Sequence, residues 1–227
     1  MADPLDRPIW TALTTRQAHL AEGDAHARRY LPDISPFTAT RDDSEASLAP
    51  LARLAEPAGT MLFLQASPVV LPPQLVERQT AEAVQMIAEA PFAVIEDRRV
   101  ERLGPADAEA MLALAELTKP GPFTLKAQSF GAFWGVREEG RLIAMAGERL
   151  KLPGITELSG LATHPDRQGE GLGKLLLTYV AGQISAGGDA VFLHAYAWNE
   201  KAIQLYERLG FRLRSAMHVA VVELRSP

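Results

Sequence analysis

The pattern of apolar and polar positions is most regular after Val100, where it predicts a simple order of strands and helices. Period-two alternation predicts strands, whereas apolar positions three and four residues apart predict helices. The order β-α-β-β-β-α-β-α-β-β favours a mixed sheet with helices on both faces. The predicted strands are residues 100–103, 133–137, 141–147, 155–163, 190–197, 211–214 and 217–223, and the predicted helices are residues 106–117, 172–186 and 199–209.

The first 97 residues are rich in proline, which predicts short elements. A short helix is expected from Ile9 to Leu20, and a buried strand at residues 60–65. Residues 74–89 fit two alternatives, a strand followed by a helix or one helix. We therefore predict two parts, an α+β N-terminal accessory region at residues 1–97 and a second domain at residues 98–227.

Composition places the chain among globular proteins with a substantial core, since 47% of its 227 residues are hydrophobic and 22% are charged. No apolar run approaches the roughly 20 residues that span a bilayer, so no membrane association is expected. The absence of cysteine excludes disulfides, thiolate metal sites and a cysteine nucleophile, and fits a cytoplasmic protein. A net charge of −5 and a pI near 5.6 argue against a nucleic-acid partner.

A glycine-rich turn lies between the predicted strand 155–163 and the predicted helix 172–186. Such a turn leaves backbone N–H groups free at the positive end of a helix, where phosphate binds well. The P-loop pattern fails because Leu175 follows Lys174, and the dinucleotide G-x-G-x-x-G pattern fails in spacing. The pattern that fits is Q-x-x-G-x-G, at Gln168, Gly171 and Gly173.

This loop resembles the acyl-CoA pyrophosphate loop of the GNAT superfamily of N-acetyltransferases. A second segment, residues 199–211, resembles the family's N-x-x-A-x-x-L-Y-x-x-x-G-F signature, in the expected order along the chain. Taken alone, either segment also reads as a capped amphipathic helix. Both together, in order, favour the family, and the resemblance covers the chain from about Val100 onward.

The resemblance implies a GNAT-like α/β (α+β) fold, with a mixed, mostly antiparallel sheet, helices on both faces and a smaller α+β N-terminal region. Residues 1–97 resemble the extra, degenerate half-domain found in some members of the family. The family resemblance also implies acetyl-CoA as co-substrate, with backbone amides of the turn on the pyrophosphate and one strand edge on the pantetheine. The coenzyme-binding residues implied are Leu161, Ala162, Thr163, Gln168, Gly169, Glu170, Gly171, Leu172, Gly173, Lys174, Asn199 and Ala202.

The same resemblance implies catalytic roles for Tyr206 and Glu157. Tyr206 would be the general acid near the thioester sulfur, and its alternative is a core aromatic residue. Glu157 would be the general base, with Glu148 as second candidate and a surface or strand-edge charge as the alternative. The five histidines lack metal-ligand spacing, so no metal is expected and each histidine is read as structural.

The predicted function is therefore acetyl transfer from acetyl-CoA to a primary amine by direct attack in a ternary complex. The acceptor would be an amine-bearing small molecule or peptide, and the protein a monomer or homodimer. A non-catalytic acyl-CoA-binding regulator of the same fold is the alternative, and the presence of Tyr206 counts against it. An ATP-dependent enzyme is a third possibility, disfavoured by the missing Ser or Thr after Lys174.

Overall fold

The computed structural model describes residues 3–56 and 59–225. Its helices are α1 (Pro8–Thr14), α2 (Glu45–Leu48), α3 (Leu51–Leu54), α4 (Ala108–Thr118), α5 (Leu172–Ala186) and α6 (Glu200–Arg208). Its strands are β1 (Ala21–Gly23), β2 (Ala27–Tyr30), β3 (Thr38–Thr40), β4 (Met61–Gln65), β5 (Leu75–Ala88), β6 (Val100–Leu103), β7 (Phe133–Glu138), β8 (Arg141–Leu152), β9 (Ile155–Thr163), β10 (Ala190–Tyr196) and β11 (Phe211–Leu224).

Most strands belong to one eight-stranded sheet with the order β4-β11-β5-β10-β9-β8-β7-β6. Neighbouring strands in it are antiparallel except for β9 and β10, which run parallel. Strands β1, β2 and β3 form a separate three-stranded sheet. The mixed, mostly antiparallel sheet predicted from the sequence is confirmed.

Helices cover both faces of the large sheet. Met111 and Leu114 of α4 pack with Phe133. Leu176 of α5 is fully buried in a cluster with Trp134. Because Phe133 and Trp134 are consecutive on β7, their side chains point to opposite faces of the sheet. Helices α4 and α5 therefore lie on opposite faces, as the order of elements predicted.

The two longest strands correct the sequence prediction. Residues 75–88 form the single strand β5 rather than a helix or a strand followed by a helix, although their Glu, Gln and Ala content suits a helix. Residues 211–224 form the single strand β11 rather than a strand pair. A β-bulge between Leu213 and Ser215 lets β11 continue along β5 for nearly its whole length. Pairing between distant segments has overridden local propensity here.

The first 97 residues contribute to the large sheet as well as carrying the small one. Strand β4 forms an edge of the large sheet, and β5 lies in its interior between β11 and β10. Ile9 and Leu13 of α1 are fully buried and pack in one cluster with Leu150 of β8. The boundary at residues 97 and 98 stays a prediction, and the hydrogen-bonded sheet runs across it.

Candidate active site

The parallel strands β9 and β10 separate partway along their length. They pair only through residues 155–157 of β9 and residues 190–192 of β10. Beyond that point β9 bonds to β8, whereas β10 bonds to β5. Within the described residues, the edge of β9 that faces β10 therefore has no strand partner from residue 158 to residue 163.

A bulge in β9 explains the separation. Met145 pairs with Ala162 and Gly147 with Ser159, so β9 carries one residue more than β8 over this stretch. Gly160 takes a φ of 63°, a conformation that favours glycine. Bulges bend the strand that carries them and strengthen its twist. The bend turns the second half of β9 away from β10 and leaves its backbone groups open.

A cleft of about 220 Å³ lies at this opening. Its walls come from the separated halves of β9 and β10, from α6 and the loop before it, from the loop after α4, and from the N-terminal region and β11. The residues that line it are Phe37, Leu62, Leu64, Ala83, Thr118, Lys119, Pro120, Gly121, Pro122, Arg149, Leu158, Ser159, Gly160, Leu161, Leu193, His194, Ala195, Tyr196, Trp198, Asn199, Tyr206 and Val219.

The glycine-rich turn lies at the end of β9, directly before α5. Gly169 and Gly171 take φ values of 86° and 80°, and a side chain added at either would meet nothing within 4 Å. The first hydrogen bond of α5 runs from the Leu175 amide to the Gly171 carbonyl, at 2.9 Å. The preceding amides at residues 172–174 thus have no carbonyl acceptor within the helix. This exposed turn has the geometry that binds phosphate.

The turn and the open strand edge are adjacent in space. A Cβ added at Gly173 would lie 3.7 Å from Oγ1 of Thr163, the last residue of β9. His164, the residue after Thr163, caps the short turn between β9 and the glycine-rich turn. Its Nδ1 accepts a hydrogen bond from the Asp166 amide at 3.2 Å. The structure therefore brings residues 161–163 and 168–174 together, and His164 has the structural role that we expected.

Helix α6 places two of the predicted residues on the cleft. Asn199 caps the helix, with its side-chain oxygen accepting from the Ala202 amide at 3.3 Å, as its position predicted. Tyr206 lies two turns after Asn199 on the cleft wall and is 8% exposed.

Within residues 3–56 and 59–225, no helix is long and apolar enough to span a bilayer. The same residues contain no group of three or more His, Asp or Glu side chains that could hold a metal.

Comparison with known proteins identifies the family of this chain. The family model described as FR47-like protein matches residues 133–220. A GNAT-family protein from Novosphingobium aromaticivorans is 38% identical in sequence over 99% of this chain and 100% of its own, with a TM-score of 0.93. This chain belongs to the GNAT superfamily of acetyltransferases.

Two solved structures with much lower sequence identity share the fold. A GCN5-related N-acetyltransferase from Kribbella flavida is 16% identical over 96% of both chains, with a TM-score of 0.63. A conserved protein of unknown function from Staphylococcus epidermidis is 11% identical over 90% of this chain and 93% of its own, with a TM-score of 0.55. No curated protein matches the sequence.

A largely buried ion pair lies at the wall of the cleft of this GNAT protein, with Arg149 on the wall and Glu157 behind it. Both Glu157 oxygens accept hydrogen bonds from Arg149, at 2.8 Å from Nε and 2.6 Å from Nη2. Nδ1 of His194 lies 2.6 Å from the same carboxylate. Burial acts to raise the pKa of Glu157, but the charge of Arg149 and these hydrogen bonds outweigh it and lower the pKa to about 2.

The hydrogen bonds around His194 assign the roles of its two ring nitrogens. The side-chain oxygen of Gln85 accepts a hydrogen bond from Arg214 at 2.9 Å. The side-chain nitrogen of Gln85 donates one hydrogen to the Leu5 carbonyl at 3.0 Å, and it lies 3.0 Å from Nε2 of His194. Nε2 of His194 must then accept, and Nδ1 carries the proton given to Glu157. Both nitrogens of the imidazole are therefore occupied by hydrogen bonds.

The two carboxylates proposed as general base lie away from the cleft wall. Glu157 has no exposed surface and a low pKa, which makes it a weak proton acceptor. Glu148 accepts from the Ala132 amide at 3.0 Å and pairs with Lys151 at 2.7 Å. The base role of Glu157 stays a prediction, and its contacts in the structure favour a positioning role for this side chain.

Arg149 is the site residue that sequence reasoning missed. It lies in the charged second half of β8, between Glu148 and Lys151, and contacts Glu157 across the tight turn that joins β8 to β9. A regular hairpin register would pair Glu157 with Leu150, whereas the bulge between Glu148 and Lys151 leaves both Arg149 and Leu150 opposite Glu157. The available signal was the opposite charge of Arg149 and Glu157 on the two sides of the hairpin.

We expect Glu157→Gln to lower the free energy of unfolding by about 3–5 kcal/mol, because it leaves the charge of Arg149 buried without its partner. The native carboxylate has a pKa of about 2 against an ordinary 4.5, so its stabilisation is complete above pH 4.5 and is lost as the pH falls to about 2. The variant should lack this part of the acid transition. Denaturant unfolding at several pH values measures both effects.

Glu138→Gln is the matched control, because Glu138 forms an ion pair with Arg167 at the surface. Its effect should stay within about 1 kcal/mol, as is usual for exposed pairs. Equal losses in the two variants would contradict the structural role of Glu157.

Proposed function

We propose that this protein is an acetyl-CoA-dependent N-acetyltransferase whose acceptor is a primary amine. The amine nitrogen attacks the thioester carbonyl carbon directly, in a ternary complex. A new carbon–nitrogen bond forms and the carbon–sulfur bond breaks. The coenzyme sulfur leaves as a thiol after gaining one proton, and the amine loses one.

The separation of β9 from β10 beside the amides that begin α5 carries this proposal. An unpartnered strand edge can hydrogen-bond an extended amide-bearing chain as if it were an added strand. The open turn at the start of α5 offers N–H groups and a favourable dipole to a polyanion. One ligand with a pyrophosphate at one end and an amide-bearing arm at the other matches both features.

The residues present fit acetyl-CoA, which when bound supplies the activated acyl group. The turn at residues 168–174 would hold the pyrophosphate, and the main chain of residues 161–163 would hold the pantetheine arm. Asn199 would direct its side-chain nitrogen at the arm, because its oxygen already caps α6. The small side chain of Ala202 would leave room on the same helix.

Tyr206 is the proposed general acid. Burial raises the pKa of Tyr206 to about 12, so the phenol keeps its proton throughout the neutral range. A phenol of this pKa is a weaker acid than a thiol of pKa ≈ 8.5. Tyr206 can therefore protonate the departing sulfur only where the thiolate lies directly beside the phenol and is shielded from water, which raises the basicity of the thiolate.

A thermal-shift screen with acetyl-CoA, CoA, ATP and NAD tests the coenzyme assignment, followed by thiol release in the presence of primary amines. We expect acetyl-CoA and CoA to raise the melting temperature, whereas ATP and NAD have little effect. Amine-dependent thiol release supports the enzyme. Acetyl-CoA binding without release for any amine would favour the non-catalytic regulator, and a response to ATP or NAD alone would contradict both readings.

A further inference from the structure

Among the described residues that line the cleft, two carry a positive charge and none carries a negative one. These two are Arg149 and Lys119, and the lining contains no Asp or Glu. An acceptor with several positive charges would require carboxylates to bind it, and this wall offers none. An acceptor with a negative group would instead meet a cation as soon as it entered.

Arg149 presents an unused edge to the cleft. A guanidinium carries five N–H groups, and Glu157 takes only the one on Nε and one of the two on Nη2. The opposite edge, formed by Nη1 and the second N–H of Nη2, has the fork geometry that binds a carboxylate through both oxygens. Nη1 lies beside the loop after α4, 3.6 Å from the position that a Cβ at Gly121 would take.

The guanidinium is also held in place before any ligand arrives. Glu157 fixes one edge of it, and the ring of Phe37 lies 5.0 Å from its central carbon, within cation–π range. The Arg149 side chain is only 12% exposed. Binding a second carboxylate would therefore order no long flexible side chain, which favours affinity.

Apolar side chains line the same cleft. Phe37, Leu62 and Leu64 come from the N-terminal region, and Val219 comes from β11. They suit a hydrocarbon group better than a second polar one. The acceptor pocket thus combines one anion-binding edge with an apolar wall.

We propose that the acceptor is an amino carboxylic acid with an apolar side chain, whose carboxylate is bound by the free edge of Arg149. This inference rests on the proposed acetyl transfer and names the class of amine that the site accepts. Arg149 is then a specificity-determining residue, and Glu157 positions it.

The first test compares matched acceptors with the intact protein and acetyl-CoA. Leucine, valine and phenylalanine are each compared with the corresponding amide and with the decarboxylated amine, which keep the apolar group but lose the carboxylate. We expect kcat/KM for the preferred acid to exceed that of its amide and amine by about 100-fold, the order of two charge-assisted hydrogen bonds. The ammonium group of the amide is more acidic than that of the acid, so at a given pH the amide has the larger fraction of neutral, reactive amine. A preference for the acid would therefore not arise from easier deprotonation.

The second test removes the charge pair as a unit, since a single substitution would leave a buried charge and could prevent folding. In the double variant Arg149→Met with Glu157→Gln, the ratio of kcat/KM for acid and amide should fall close to one. A ratio between two acceptors does not depend on the fraction of active protein. The control is Arg137→Met with Glu101→Gln, a surface ion pair away from the cleft, which should keep the full ratio.

The outcomes separate the two proposals. Acetylation of amides or simple amines as efficiently as of the acids would overturn the inference and leave the proposed function intact. A preference for acids that survives in the double variant would overturn the role of Arg149. Failure to acetylate any amine would overturn both.

Discussion

Tyr206→Phe should lower kcat by about 10²–10⁴, the usual contribution of a general acid, while the affinity for acetyl-CoA stays unchanged. The ring still packs on α6 beside Phe211, and the phosphate-binding turn is untouched. The loss should shrink for thioesters with a better leaving thiolate, because these need less help from a proton donor. Steady-state rates at saturating acetyl-CoA measure the effect.

The pH dependence of the native protein provides a second readout of Tyr206. Since its pKa is raised to about 12, the phenol should stay protonated well above pH 10, and its ionisation should not lower the rate in that range. The matched control is Tyr179→Phe, because Tyr179 packs against Trp134 and does not line the cleft. Near-native kcat in Tyr206→Phe would leave proton delivery to water and remove Tyr206 from the mechanism.

Gly171→Val should abolish acetyl-CoA binding, seen as an at least 100-fold rise in the dissociation constant measured calorimetrically. The added branch would occupy the space where the pyrophosphate approaches the amides that begin α5. It would also strain a residue whose φ is 80°. Stabilisation by acetyl-CoA in a thermal shift should disappear in parallel.

Gly188→Val separates these two causes. Gly188 has a φ of 86° and equally open surroundings, but it follows the far end of α5. The conformational cost of placing valine at a positive φ is therefore similar at the two positions. Gly188, however, lies a whole helix away from the glycine-rich turn at residues 168–174. Weak binding in both variants would indicate general destabilisation, and undiminished affinity in Gly171→Val would remove the turn from the coenzyme site.

Local signals predicted the glycine-rich turn before α5 and the start of α6 for a physical reason. The turn at residues 168–174 and the helix beginning at Asn199 are each specified by glycine conformation, capping and spacing within a few residues. Those features do not depend on the conformation of the rest of the chain. The same holds for the hairpin of β7 and β8, where the turn lies within the segment itself.

Features that depend on distant pairing could not be predicted in this way. β5 was ambiguous because its Glu, Gln and Ala residues suit a helix, and only β10 and β11 on either side make it a strand. The position of Arg149 depends on the register of β8 against β9, including its bulges. In the apolar wall of the cleft, Phe37 and Leu62 lie next to β11. No local sequence pattern relates these residues to that strand.

The interior position of β5 has a consequence for how the protein is made. During synthesis β5 leaves the ribosome long before its partners, since Ile87 pairs with Phe192 and Leu75 with Leu224. Both edges of this strand stay unpaired until the chain is almost complete, and such edges promote aggregation. Charged side chains at Glu77, Arg78 and Glu82 interrupt the strand and should protect it during that interval. Slow translation of the last hundred residues would therefore be expected to reduce the yield of folded protein more than slow translation of the first.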